Sequence, residues 1–167
     1  MAAERTVVLE HDRIQRKLRR IAFRIYEDNV HETSLVVVGV APRGAKLAAR
    51  LKVHLEEISP LKIELHELVL DKDAPVKAPA KLGKGDVDLD GRVVILVDDV
   101  LMSGRTLMYA AAHLIGSPLK RLTTVALVDR LHRTFPIRAD IVGLTLSTTL
   151  QEHISVELGK KDTVYLS

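Results

Sequence analysis

Short apolar runs alternate along the chain with segments whose apolar residues recur at helical spacing. In residues 12–29, Ile14, Leu18, Ile21, Ala22 and Ile25 mark one face of an amphipathic helix, and Asp12 is placed to cap its start. SLVVVGV (34–40) is rich in Val and reads as a strand buried on both faces, as in a parallel sheet. APRG breaks that run. Residues 45–58 return to helical spacing until Pro60 ends the unit. LKIELHELVL (61–70) alternates apolar and polar residues, which predicts a strand with one wetter face. RVVILVDDV (92–100) is the most apolar strand of the chain. TLMYAAAHLIG (106–116) predicts a helix, with Gly116 at its C′ position and Pro118 just beyond. Residues 121–130 and 139–146 predict two more strands, and ISVEL (154–158) and TVYLS (163–167) short edge strands. Residues 71–91 are dominated by Lys, Asp, Pro, Ala and Gly. They predict a mobile loop, too long for a plain connector and therefore a functional candidate.

Strands that alternate with helices predict an α/β fold with a mostly parallel sheet flanked by helices. At 167 residues, the chain suits one domain over 1–167 with a single sizeable core. Ligands in such sheets bind beyond the carboxyl ends of the strands. Three turns fall there: APRG after one strand, DDVLMSGRT after another and DRLHR after a third.

Composition narrows the chemistry. There is no cysteine, which excludes disulfides, thiolate metal sites and a catalytic Cys. MAAERTVVLEHDR lacks the apolar stretch of a signal peptide, and no apolar run reaches the ~18 residues of a membrane span. A soluble cytoplasmic protein with no membrane partner is expected. The net charge of +3 and a pI near 9.2 suit an anionic ligand or nucleic acid. Aromatic residues make up only 3% of the chain, which argues against a binder of single strands by base stacking. His66, His113 and His153 show no metal-ligand spacing, and an isolated His132 after a strand is a structural residue more often than a catalytic one.

The stretch VVILVDDVLMSGRT (93–106) carries the strongest signal. Asp98 and Asp99 are adjacent carboxylates, which need a cation or hydroxyl donors nearby. Behind them, Gly104 lets the backbone turn and approach a ligand. N–H groups at the start of the following helix favour a phosphate, with donors added by Ser103 and Thr106. The same turn could simply cap the helix. Neither G-x-x-x-x-G-K-[ST] nor a strand followed by G-x-G-x-x-G occurs, so the nucleotide-hydrolase and dinucleotide loops are excluded. A phosphate cradle beside diol acceptors describes a ribose 5-phosphate site.

An apolar strand followed by DDVL, two residues and GRT resembles the signature of the type I phosphoribosyltransferases, which use phosphoribosyl pyrophosphate (PRPP). VGVAPRGAKLAARL, VILVDDVLMSGRT and VALVDRLHRTFPIRADIVG together resemble the PyrR family of bifunctional uracil phosphoribosyltransferases and RNA-binding attenuators. The resemblance implies a type I core with a small hood and a flexible loop near 71–91. It implies that Asp98 and Asp99 engage the ribose hydroxyls and hold Mg²⁺ through water and PRPP. Leu101, Met102, Ser103, Gly104, Arg105 and Thr106 would cradle the 5′-phosphate. Ala41, Pro42, Arg43 and Gly44 would form the pyrophosphate loop, with Arg43 and the acidic pair as the catalytic set. A nucleobase would lie near Asp129, Arg130, Ile141, Val142 and Gly143. RNA contacts would map to Arg20, His132, Arg133 and Arg138, beside a basic helical stripe of Arg13, Arg16, Lys17, Arg20 and Arg24.

Several positions depart from the family pattern. The family's Tyr-Arg-Asp-Asp lid reads LVLDKDAP here, with Lys72 as the nearest cation. On the RNA side, Arg19, Phe23 and Leu144 replace the family's Thr, His and Lys. The expected function is a Mg²⁺-dependent transferase acting on a nucleobase, uracil by nearest resemblance, in a homo-oligomer. The alternatives are an RNA-binding sensor with little turnover and a purine-salvage transferase.

Overall fold

The computed structural model describes residues 4–167, so the first three residues of the expected domain bounds and leader-free N-terminus lie outside it. The elements run β1 (Thr6–Leu9), α1 (His11–Glu27), β2 (Ser34–Val40), α2 (Arg43–Ile58), β3 (Lys62–Val69), β4 (Lys81–Leu82), β5 (Val93–Leu101), α3 (Arg105–Leu114), β6 (Arg121–Asp129), β7 (Ile141–Thr145), β8 (Ile154–Glu157) and β9 (Thr163–Leu166). Six strands form the main sheet in the order β4-β3-β2-β5-β6-β7, with β4 alone antiparallel.

The Val-rich strands are buried on both faces, as their continuous apolar runs require. Leu35, Val37, Ile95 and Val97 pack under α1 and α2, whereas Val36, Val38, Val94 and Leu96 pack under α3. From β2 the chain winds through α2 to β3 on one side. From β5, hydrogen-bonded to the other side of β2, it winds through α3 to β6. The two crossovers leave in opposite directions and cover opposite faces. The turns after β2 and β5 therefore diverge, and a crevice opens between them at this switch in strand order.

Four details differ from the sequence expectations. Helix α1 starts at His11, so Asp12 sits in its first turn; Glu10 is the N-cap residue and makes no side-chain capping bond. Gly116 stands at C′ of α3 without a left-handed backbone. The two short C-terminal strands do not edge the main sheet. They join the unforeseen β1 in a separate antiparallel sheet, β1-β9-β8. Residues 71–91 follow a defined path: the Asp71 carboxylate accepts N–H bonds from Asp73 and Ala74, β4 pairs with the end of β3, and Leu89 enters the core under α3.

Candidate functional site

Three turns meet at the crevice, as the strand order demands. The first, 41–44, follows β2 through a cis Ala41–Pro42 peptide, and Ala41 N–H donates to Leu68 O. Gly39 and Gly44 let it sit there. A Cβ on Gly39 would come within 2.5 Å of the Ala45 Cα, and one on Gly44 within 2.7 Å of Val97 O and 3.2 Å of Asp98 Oδ1. Gly39→Ala is therefore expected to push this turn off the strand end and to cost about 1–3 kcal/mol, read as a lowered melting temperature. Arg43 is the first residue of α2. Its exposed side chain makes no hydrogen bond or ion pair among the described residues and is free to meet an anion.

Both aspartates lie within β5 rather than beyond it, and both are buried, 4% and 5% exposed. Asp99 N–H donates to Asp98 Oδ1 at 2.9 Å. Burial first, then the Asp99 charge, push the Asp98 carboxyl up to about 8, while the Lys72 ammonium acts in the opposite direction. The pair is short of positive charge, the condition of a site built to receive cations or hydroxyl donors. Asp98 lines a cleft of about 150 Å³ together with Val100, Ser103, Gly104, Thr106 and Leu107.

The turn 102–104 owes its shape to a segment whose structural role the sequence concealed. Arg133 donates to Met102 O (2.7 Å), to Ile137 O (2.9 Å) and to Asp129 Oδ2 (2.7 Å). Ser103 O accepts from the N–H groups of Thr134 and Phe135. The carbonyls of Met102 and Ser103 are thus drawn toward 133–137. In trans peptides the following N–H groups, those of Ser103 and Gly104, face the other way, toward the cleft. Gly104 has φ +84°, and a Cβ there would strike Ile137 at 2.7 Å. The Ser103 Oγ accepts from Arg105 N–H, so it does cap α3 locally, yet its hydroxyl hydrogen stays available to a ligand. Leu101 is the last residue of β5. Arg105 turns outward to donate to Asp73 O, which ties the 71–74 turn to this one. The whole arrangement sets backbone N–H groups at a helix start opposite a buried carboxylate, a geometry able to take an anion.

Asp129 and Arg130 also reach this edge. Arg130 is 4% exposed and donates to Thr148 Oγ1, Thr149 O and Glu152 O, which anchors the 146–153 loop; its Nη1 also lies 3.0 Å from Met102 Sδ. Ile141, Val142 and Gly143 are not brought to the site. Ile141 pairs with Val125, whereas Asp129 pairs with Thr145 four residues on, or about 13 Å along the strand. The carbonyls of Val142 and Gly143 instead accept from Arg20, and that of Gly143 also from Lys17. The stretch expected near a base thus lies at the start of β7, away from the sheet edge, and the polar cluster STT (147–149) follows β7 and is held there by Arg130 and His132.

The expected RNA contacts divide similarly. His132 bonds Thr148 O and Arg133 is spent on the turn, so both act as internal struts. Arg138 is exposed and without a side-chain partner among the described residues. On α1, Arg24 pairs with Asp28 and Arg19 with Glu57. Burial, then the charges of Arg20 and Arg13, lower the Lys17 pKa.

Larger cavities open elsewhere: about 400 Å³ beside β1 and β9, about 450 Å³ between α1 and β7, and about 630 Å³ along the outer edge of β3. None of them joins a buried carboxylate to a helix start. Among the described residues, no group of three or more His, Asp or Glu is placed to hold a metal, and no helix is long and apolar enough to cross a membrane.

Comparison with known proteins identifies the family and the fold. The family model for the phosphoribosyl transferase domain matches residues 5–160. A Bifunctional protein PyrR of Streptomyces coelicolor is 40% identical over 93% of this chain and 84% of its own length. Another, from Bacillus cereus, is 39% identical over 95% and 93%. A hypoxanthine-guanine phosphoribosyltransferase structure from Bacillus anthracis superposes with a TM-score of 0.74 at 24% identity, covering 89% of this chain and 86% of that one.

Proposed function

The chain belongs to the phosphoribosyltransferase family, and from that premise we propose that it transfers the phosphoribosyl group of PRPP to uracil. In this reaction a ring nitrogen of the base bonds to the anomeric carbon, the carbon–oxygen bond to pyrophosphate breaks, and the nitrogen's proton passes to solvent. One observation carries the reading: Asp98 and the Ser103–Thr106 turn line the same cleft, so a carboxylate faces an anion cradle across a sugar-sized gap. The choice of uracil rests on the PyrR resemblance and on the relatives that bear that name.

In this proposal the N–H groups of Ser103 and Gly104 and the start of α3 hold the 5-phosphate, and Asp98 and Asp99 accept from the ribose hydroxyls. Arg43, unpaired and at the mouth of the crevice, meets the departing pyrophosphate. The transition state has oxocarbenium character, so the residues position the reactants and stabilise charge. Two buried, charge-deficient carboxylates with hard oxygen donors suit Mg²⁺ that shares its remaining ligands with water and PRPP. When bound, Mg²⁺ would neutralise the leaving group. A single domain over 1–167, a homo-oligomer and a cytoplasmic location belong to the same proposal.

RNA binding is a second reading. It is favoured by the cationic cluster on α1, where Lys17 lies close enough to Arg20 and Arg13 to feel their repulsion.

The test is turnover. With PRPP and Mg²⁺, uracil is expected to yield UMP and pyrophosphate, and hypoxanthine, guanine and adenine to yield little nucleotide. Product from a purine instead would reassign the substrate. No product from any base, with PRPP still bound, would replace the transferase by a regulator and make salt-dependent RNA binding the next measurement.

A further inference from the structure

Leu131 is the only non-glycine among the described residues with a positive φ, +64°. This left-handed backbone is costly for a branched aliphatic side chain. The cost is not recovered by packing, since the residue is 56% exposed. Its neighbours impose the conformation. Leu131 N–H is held by Asp129 Oδ1, the buried Arg130 guanidinium is fixed on the 146–153 loop, and His132 is fixed on Thr148 O. A strained residue that its surroundings over-determine, exposed at a site, points to a use for the exposed group.

Its place tells what that use is. Leu131 comes two residues after Asp129, the last residue of β6, and Asp129 pairs with Leu101 at the end of β5, so Leu131 lies just beyond the end of the strand beside the acidic one. Met102, 44% exposed, shares this edge, its Sδ 3.0 Å from Arg130 Nη1. A sugar held over the end of β5 carries its base sideways onto this aliphatic edge. We infer that Leu131 is a specificity-determining residue whose strained, solvent-facing side chain lies against one face of the nucleobase. The inference rests on the transferase reading. A flat ring with an apolar face removes the exposed Leu131 and Met102 surface from water, which neither phosphate nor ribose does.

Two variants remove the apolar side chain and relieve the strain in different ways. Leu131→Gly removes both, whereas Leu131→Asn keeps a side chain and tolerates a left-handed backbone but is polar. Calorimetric titration of each with UMP and with ribose 5-phosphate is the experiment. Both variants are expected to bind UMP about ten-fold more weakly and ribose 5-phosphate within two-fold of the parent. Leu131→Gly should also melt about 2–4 °C higher as the strain is relieved. Unchanged UMP affinity in both variants would overturn the inference and leave the transferase reading intact. So would equal weakening of both ligands with a lowered melting temperature, the signature of a packing residue. A parent protein that binds neither UMP nor ribose 5-phosphate would overturn the transferase reading, and this inference with it.

Discussion

Asp98→Asn is expected to stabilise the ligand-free protein and to disable it. Burial and Asp99 raise the Asp98 carboxyl to about 8, against an ordinary value of 3.8. Between those two values the folded protein holds a proton that the unfolded chain has released. Stability is therefore full below pH 4, falls as the pH rises toward 8, and levels off above it. Asparagine does not titrate, so the variant escapes this loss. Its melting temperature should match that of the parent near pH 4 and exceed it by about 5 °C or more at pH 8.5. Transferase activity should fall about a hundred-fold, because a charge-assisted hydrogen bond to the sugar is worth about 1.5–3 kcal/mol. Melting curves from pH 4 to 9, beside a turnover assay at pH 7.5, check both halves. A stability difference independent of pH would show that Asp98 is already ionised in the empty site. Full activity in the variant would remove Asp98 from the ribose contact.

The largest loss of stability is expected at a position far from the chemistry. Asp162, 1% exposed, lies between β8 and β9. Its carboxylate accepts two bonds of 2.7 Å from Arg50 on α2, one of 2.8 Å from Gln15 on α1 and one from Gly159 N–H. Its own N–H donates to His11 Nδ1. This one side chain ties the three-stranded sheet to two helices of the main core. Asp162→Ala leaves a half-buried guanidinium without its counter-charge, which typically costs about 3–5 kcal/mol. The melting temperature should fall by about 6–20 °C at pH 7. Asp162→Asn keeps the shape and one of the two acceptor oxygens and should fall less far than the alanine variant. A loss within 2 °C for the alanine variant would mean that the sheet is held by its apolar face alone.

The sequence made some of this legible and hid the rest for identifiable reasons. The bounds of β2 were readable because a Val run between polar residues has no competing period. The turn between β5 and α3 was readable because Gly104 and the helix start are local features, and local features survive in a linear chain. The inward bonds of Arg133 were not readable. Met102, whose carbonyl it holds, lies 31 residues away, and nothing in DRLHR distinguishes an inward guanidinium from an outward one. The depth of the ADIVG stretch in the sheet was not readable, because the pairing of Thr145 with Asp129, which sets it, is a tertiary fact. The Asp162 cluster carried no signal at all, since its side-chain partners Arg50, Gln15 and His11 are more than a hundred residues distant.

The three-stranded sheet has a kinetic consequence. Thr6 pairs with Leu166, so β1 cannot join the local β8–β9 pair and complete this sheet until the far ends of the described chain meet, whereas the main sheet grows through βαβ units close in sequence. Loop closure must be completed before the distant pairing gives any return. The small sheet is thus expected to assemble last and to open first. Amide exchange at β1 and β9 should be faster than at β2 and β5, in a partial opening that leaves the 102–104 turn folded while β1 lifts away.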